Sequence, residues 1–158
     1  MAKTLVISNV RYFYEIANEA FDKMNDDMGK NIKLKPNGNE GFIKTYDPQH
    51  KSFKNALITI VFAGVYLESL MHLLIVEKND IVTYEKYDRK VYEGKLKLLG
   101  CNDSEILELC SKYRASRKEI VHEKAHLDNG KIKMAQAEAI IAMSLVNKIN
   151  EHFNISMG

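Results

Sequence analysis

His122 stands in two overlapping patterns, and each implies a different reaction. Residues 117–122 read Arg-Lys-Glu-Ile-Val-His, an arginine followed five positions later by a histidine. A guanidinium stays cationic and offers phosphate a planar fork of donors, while an imidazole exchanges protons near neutrality. Those are the groups that metal-free cleavage of RNA requires. Residues 122–126 read His-Glu-Lys-Ala-His, the form H-E-x-x-H. There, two histidines one helical turn apart bind zinc and the glutamate between them activates the bound water.

Pattern alone favours zinc. With four arginines and five histidines, a chance arginine–histidine pair of this kind is expected about 0.4 times, and H-E-x-x-H about 0.01 times. Physical context reverses the order. The position after Glu123 is Lys124, and a cation beside a dication opposes metal binding. Glu138 and His152 are available as a third ligand, but no downstream motif marks either. Glu123 and His126 therefore read as exposed residues near a helix end, with no metal or cofactor expected. Arg117, by contrast, follows Tyr113 at a four-residue spacing and precedes Val121 by the same, which puts it at the edge of a buried stripe. On a regular helix His122 lies roughly 140° around from Arg117. The two groups converge only through the arginine's length or across a cleft shared with a second copy. Glu68 is flanked by apolar residues, and a buried carboxylate must find a partner. It either bonds within the core or orients Arg117, and the second is preferred. His72 reads as a packed or interface histidine.

The elements that would carry these groups are helical. The chain of 158 residues, 46% hydrophobic and 28% charged, suits a single domain spanning 1–158 with a real core. A net charge of +2 is too small for bulk attraction to nucleic acid, although residues 112–124 gather Lys112, Arg114, Arg117, Lys118 and Lys124 against Glu119 and Glu123. Cys101 and Cys110 make neither a disulfide framework nor a metal cluster, and read as small apolar residues in a reducing compartment. No signal-peptide pattern opens the chain, so a cytoplasmic location is expected. The apolar run from Ala56 to Val76 is interrupted by Glu68 and His72, which favours a buried central helix over a membrane span.

Helical spacing of Val6, Val10, Phe13, Ala17, Phe21 and Met24 predicts a first helix over 4–28. A small hairpin is expected near residues 31–46, around Pro36-Asn37-Gly38. Further helices are predicted over Phe53–Glu77, Tyr84–Leu99 with Gly100 as its stop, from Asn102 to Asp128-Asn129-Gly130, and over Lys133–Phe153 with Ile140, Ile141, Leu145, Val146 and Ile149 inward. The fold class is all-α, an antiparallel bundle of about five helices.

Three stretches resemble the HEPN family, helical dimers that include RNA-cleaving toxins and defence factors. They are Phe62-Ala63-Gly64-Val65-Tyr66-Leu67-Glu68-Ser69-Leu70, Tyr92-Glu93-Gly94-Lys95-Leu96-Lys97-Leu98-Leu99, and Arg117-Lys118-Glu119-Ile120-Val121-His122-Glu123. Their order and spacing cover roughly residues 52–150. The resemblance implies a metal-independent endoribonuclease in which the 2′-hydroxyl attacks the adjacent phosphorus, leaving a 2′,3′-cyclic phosphate and a 5′-hydroxyl. Arg117 and His122 are then the catalytic residues, Lys118 and Arg114 contact substrate phosphate, and Glu68 supports Arg117. It also implies an RNA substrate, a homodimer and, for a toxin, a nucleotidyltransferase-type antitoxin as partner. Lys118 stands where active members most often carry asparagine. A non-catalytic HEPN dimer acting as a binding or scaffold module is therefore the alternative, and a zinc hydrolase using residues 122–126 is the third.

Overall fold

Residue periodicity closes into an all-α bundle around one long helix. The computed structural model describes residues 8–30, 32–36, 38, 40–44, 49–121 and 134–157. Six helices are found among them: α1 (Val10–Lys30), α2 (Lys51–Lys78), α3 (Ile81–Tyr87), α4 (Tyr92–Leu98), α5 (Ser104–Val121) and α6 (Ala135–His152). Between α1 and α2 a two-stranded antiparallel hairpin pairs β1 (Ile32–Leu34) with β2 (Phe42–Lys44), Lys33 opposite Ile43. The expected hairpin is there, a ladder of three residue pairs beside the helices of the described residues.

Helix α2 is the axis of the bundle. α1 and α6 pack along it, α3, α4 and α5 also touch it, and α5 packs on α6. Its core face presents Ala56, Ile60, Ala63, Leu67, Met71 and Ile75, all fully buried. Fully burying Ile60, Leu67, Met71 and Ile75 contributes about 1.5–3 kcal/mol each against exposure, which explains why an apolar helix takes the central position. α2 is also long and apolar enough to cross a membrane by length and composition, and half of its most apolar window is buried inside the bundle.

Four details differ from the sequence expectation. The helix predicted over Tyr84–Leu99 is two short helices. Asp80 caps α3 by accepting from the Thr83 N–H at 2.6 Å, so helix begins within the segment expected to be a connection. Asp88, Arg89 and Lys90 are exposed and bury nothing, so no packing carries the helical path through them. The chain turns there and α4 restarts with Tyr92, Lys95 and Leu96 facing inward. α5 begins at Ser104, not at the predicted Asn102, and is capped by Asp103, whose Oδ1 accepts from the N–H groups of Glu105 and Ile106. Ile140 is 48% exposed and Ile141 half-buried, since alanines at 135, 139 and 142 supply the packed stripe of α6 with Met143, Leu145, Val146 and Ile149.

Other expectations hold. Gly100, at φ +91°, ends α4 in a Schellman arrangement, with Cys101 N–H donating to Leu96 O and Gly100 N–H to Lys97 O. Cys101 and Cys110 are buried free thiols, and burial pushes Cys110 up to about 12, leaving it inert. Val6 and the stop expected at 128–130 lie outside the described residues.

Candidate functional site

Three helices converge on Arg117. Tyr113 and Arg117 sit one turn apart on α5, and both lean on α2 where Gly64 leaves the backbone bare. Tyr113 is 1% exposed and its hydroxyl donates to Ile60 O at 2.6 Å, which pins α5 to α2. A Cβ at Gly64 would lie 2.6 Å from Tyr113 Oη and 3.0 Å from both Cζ and Nε of Arg117. The guanidinium therefore rests on helix backbone at a place only glycine leaves open.

Glu68, one turn along α2, completes the seat. Its Oε1 accepts from Arg117 Nη1 at 3.2 Å and from the Tyr92 hydroxyl at 2.9 Å. Tyr92, the first residue of α4, is buried and also reaches Gly64 O at 3.5 Å. The Arg117 side chain keeps 31% of its exposure and that of Glu68 49%, so the pair sits at the rim of the core. Burial opposes the charge on Arg117, but Tyr92, Tyr113 and Glu68 outweigh it and hold the guanidinium above its ordinary range. Burial likewise raises Tyr92 and Tyr113, keeping both phenols neutral as donors. The remaining guanidinium N–H groups have no hydrogen-bond acceptor among the described residues.

Of the residues singled out from sequence, the structure thus brings Arg117 and Glu68 into contact. Arg114 is paired with Glu93 of α4 at 2.9 Å, and Lys118 is exposed with no ion-pair partner among the described residues. His122 lies outside the described residues, as do Glu123, Lys124 and His126. Glu138 is half-buried on α6, and His152 closes that helix edge-on to Phe153. Among the described residues no three His, Cys, Asp or Glu side chains are placed to hold a metal ion.

Sequence reasoning assigned no role to Gly64 or Tyr92. A glycine inside a long apolar helix was the available signal, because it often marks a close approach of another element. His72 is exposed and lies one turn beyond Glu68. Its ring stacks on Tyr84 of α3, with centroids 3.7 Å apart and planes 8° from parallel. A stripe of α2 outside the buried core (Ile58, 40% exposed, and the half-buried Val61 and Val65) runs into Glu68 and His72.

Comparisons with known proteins gave no match to any family model, curated protein or solved structure.

Proposed function

We propose that this chain is a metal-independent endoribonuclease of the HEPN type, acting as a homodimer. The observation that carries this reading is the seated arginine. Arg117 is held by Glu68 through one nitrogen, is laid against Gly64, and among the described residues leaves its other donors for an anion. A guanidinium fixed in this way is organised before a phosphodiester arrives, and it opposes the charge that builds on the phosphorane oxygens. Glu68 and Tyr92 are positioning residues that act through Arg117. His122, one residue beyond the end of α5, is the proton-transfer group, a role that contributes about 10²–10⁴-fold. Lys118 supplies a further phosphate contact, and Arg114, once freed from Glu93, another. The apolar stripe of α2 ending in Glu68 is the surface on which a second copy packs, placing two such motifs at one cleft.

The test is incubation with single-stranded or transfer RNA in excess EDTA. Wild type yields fragments ending in 2′,3′-cyclic phosphate, and Arg117→Ala and His122→Ala do not. Absence of wild-type cleavage, or undiminished cleavage by the two variants, overturns the proposal. The ion pair that occupies Arg117 also favours a second reading, in which the motif only braces α5 against α2 and the dimer is a non-catalytic binding module. That reading predicts a stable dimer with no turnover. The nucleotidyltransferase-type antitoxin belongs with the toxin form of the first reading, and copurification tests it.

A further inference from the structure

One feature near Arg117 has no part in cleavage as described. His72 is exposed on α2, four residues and therefore about 6 Å along the helix axis from Glu68. Its ring lies flat on Tyr84. Tyr84 is itself held from the protein side: its hydroxyl donates to Asp88 at 2.7 Å, and the Nζ of Lys95, a residue only 5% exposed, lies 5.9 Å from its ring centroid. The pair is thus a fixed inner ring carrying an exposed outer one. No second ring among the described residues stacks on His72. An exposed imidazole held flat one helical turn from the carboxylate that seats a guanidinium is a combination that single-stranded nucleic acid recognises, through bases that stack and phosphates that pair.

We propose that His72, backed by Tyr84, is a nucleobase-stacking subsite for the RNA strand whose phosphate lies on Arg117. This rests on the ribonuclease reading and extends it to how the strand is aligned. A stacked base one turn along α2 fixes the adjoining phosphate over the guanidinium, and it does so without base identity, because every base has a π-face. The subsite favours unpaired over duplex RNA, since a paired base is not available to stack.

The test is fluorescence anisotropy with a short single-stranded RNA whose 2′-hydroxyls are replaced by hydrogen, so that binding is read without cleavage. His72 is exposed and its removal deletes one ring contact outside the core, so His72→Ala is expected to remain folded at the assay temperature, as a thermal melt checks. It is expected to weaken binding about 5-fold or more, the lower end of what a base–aromatic stack represents, because Tyr84 remains. His72→Phe keeps a ring and is expected to bind within 2-fold of wild type (~0.4 kcal/mol). An oligonucleotide abasic throughout should bind wild type and His72→Ala equally. If Arg117→Ala loses binding while His72→Ala does not, the stacking subsite falls and the ribonuclease reading stands. If His72→Phe loses as much as His72→Ala, stacking is overturned in favour of a polar role for the imidazole. If wild type neither binds nor cleaves RNA, both proposals fall together.

Discussion

Gly64→Ala is the substitution that most directly interrogates the seat of Arg117. The added methyl would stand 2.6 Å from Tyr113 Oη, and Tyr113 cannot easily yield, being 1% exposed and bonded to Ile60 O. Arg117 Cζ and Nε, at 3.0 Å, must move as well, away from Glu68. Overpacking costs about 1–3 kcal/mol and a weakened buried hydrogen bond ~1 more, while alanine's better helix propensity returns ~1, leaving a net loss of about 1–3 kcal/mol. Urea unfolding followed by circular dichroism measures this. The control is Gly29→Ala, where a Cβ meets nothing within 4 Å and ordinary helix propensity predicts a gain of about 0.4–1 kcal/mol. Combining Gly64→Ala with Tyr113→Phe removes the oxygen that the methyl strikes, so the two changes should be less damaging together than their sum. If Gly64→Ala is neutral or stabilising like Gly29→Ala, the guanidinium and phenol do not rest on that glycine and the account of the site fails at its base.

Glu68→Gln removes the charge opposite Arg117 at a half-exposed position, so stability should change by under ~1 kcal/mol while RNA cleavage falls; equal cleavage would deny Glu68 a positioning role. Tyr66→Phe deletes the buried donor to Asn150 Oδ1 and should cost about 1–3 kcal/mol by leaving that amide oxygen unpaired, read from the urea midpoint. Alkaline pH should destabilise the fold. Burial is the first cause raising Tyr66, Tyr92, Tyr113 and Tyr84, the last up to about 12 with help from Asp88 and Glu68. A raised phenol keeps its proton in the folded state, so this stability is full below the ordinary value of 10.0 and is lost as pH rises through the folded values. Urea midpoints that stay flat on crossing pH 10 would contradict it. Protein purified without chelator should carry no near-stoichiometric zinc by elemental analysis, and a full equivalent would revive the H-E-x-x-H reading.

What was legible in the sequence follows from what local pattern can encode. Embedded in an apolar run, Glu68 announced that it needed a partner, and the four-residue spacing from Tyr113 placed Arg117 where it could be one. That reasoning reaches across 49 residues because both inferences concern burial, which periodicity reports. Gly64 and Tyr92 were not assigned because their importance lies in contacts between helices, the side chains laid on Gly64 and the hydroxyl that Tyr92 donates to Glu68, and spacing along one helix does not report those. Ile140 misled for a related reason. A hydrophobicity count weights isoleucine over alanine, yet α6 packs through Ala135, Ala139 and Ala142, whose small side chains fit the crossing and leave the larger residue half-exposed. The division of Tyr84–Leu99 into α3 and α4 depended on Asp80 capping a helix before it and on Asp88-Arg89-Lys90 burying nothing.

The outer stripe of α2 is the surface on which the proposed dimer would form. Among the described residues the core face of α2 is filled by α1 and α6, and exposed Ile58 and half-buried Val61 and Val65 lie on another side. A bilayer would cover them, but a membrane-spanning α2 would also carry Glu68 and His72 toward hydrocarbon, and a centrally placed carboxylate costs about 2.5–3.5 kcal/mol even on the mildest scale. It would also strip α4 and α5 from the face on which Arg117 is seated. In the proposed dimer a second copy of the chain would meet the same apolar residues without that cost. Its two-fold axis, passing near the stripe, would leave Glu68 and His72 at the rim, where water and a charged strand can reach them. Apolar surface and candidate chemistry lying end to end on one helix is what a site assembled by dimerisation requires. Ile58→Asp should therefore lower the solution mass measured by light scattering and RNA cleavage together, while a loss of one without the other would separate assembly from chemistry.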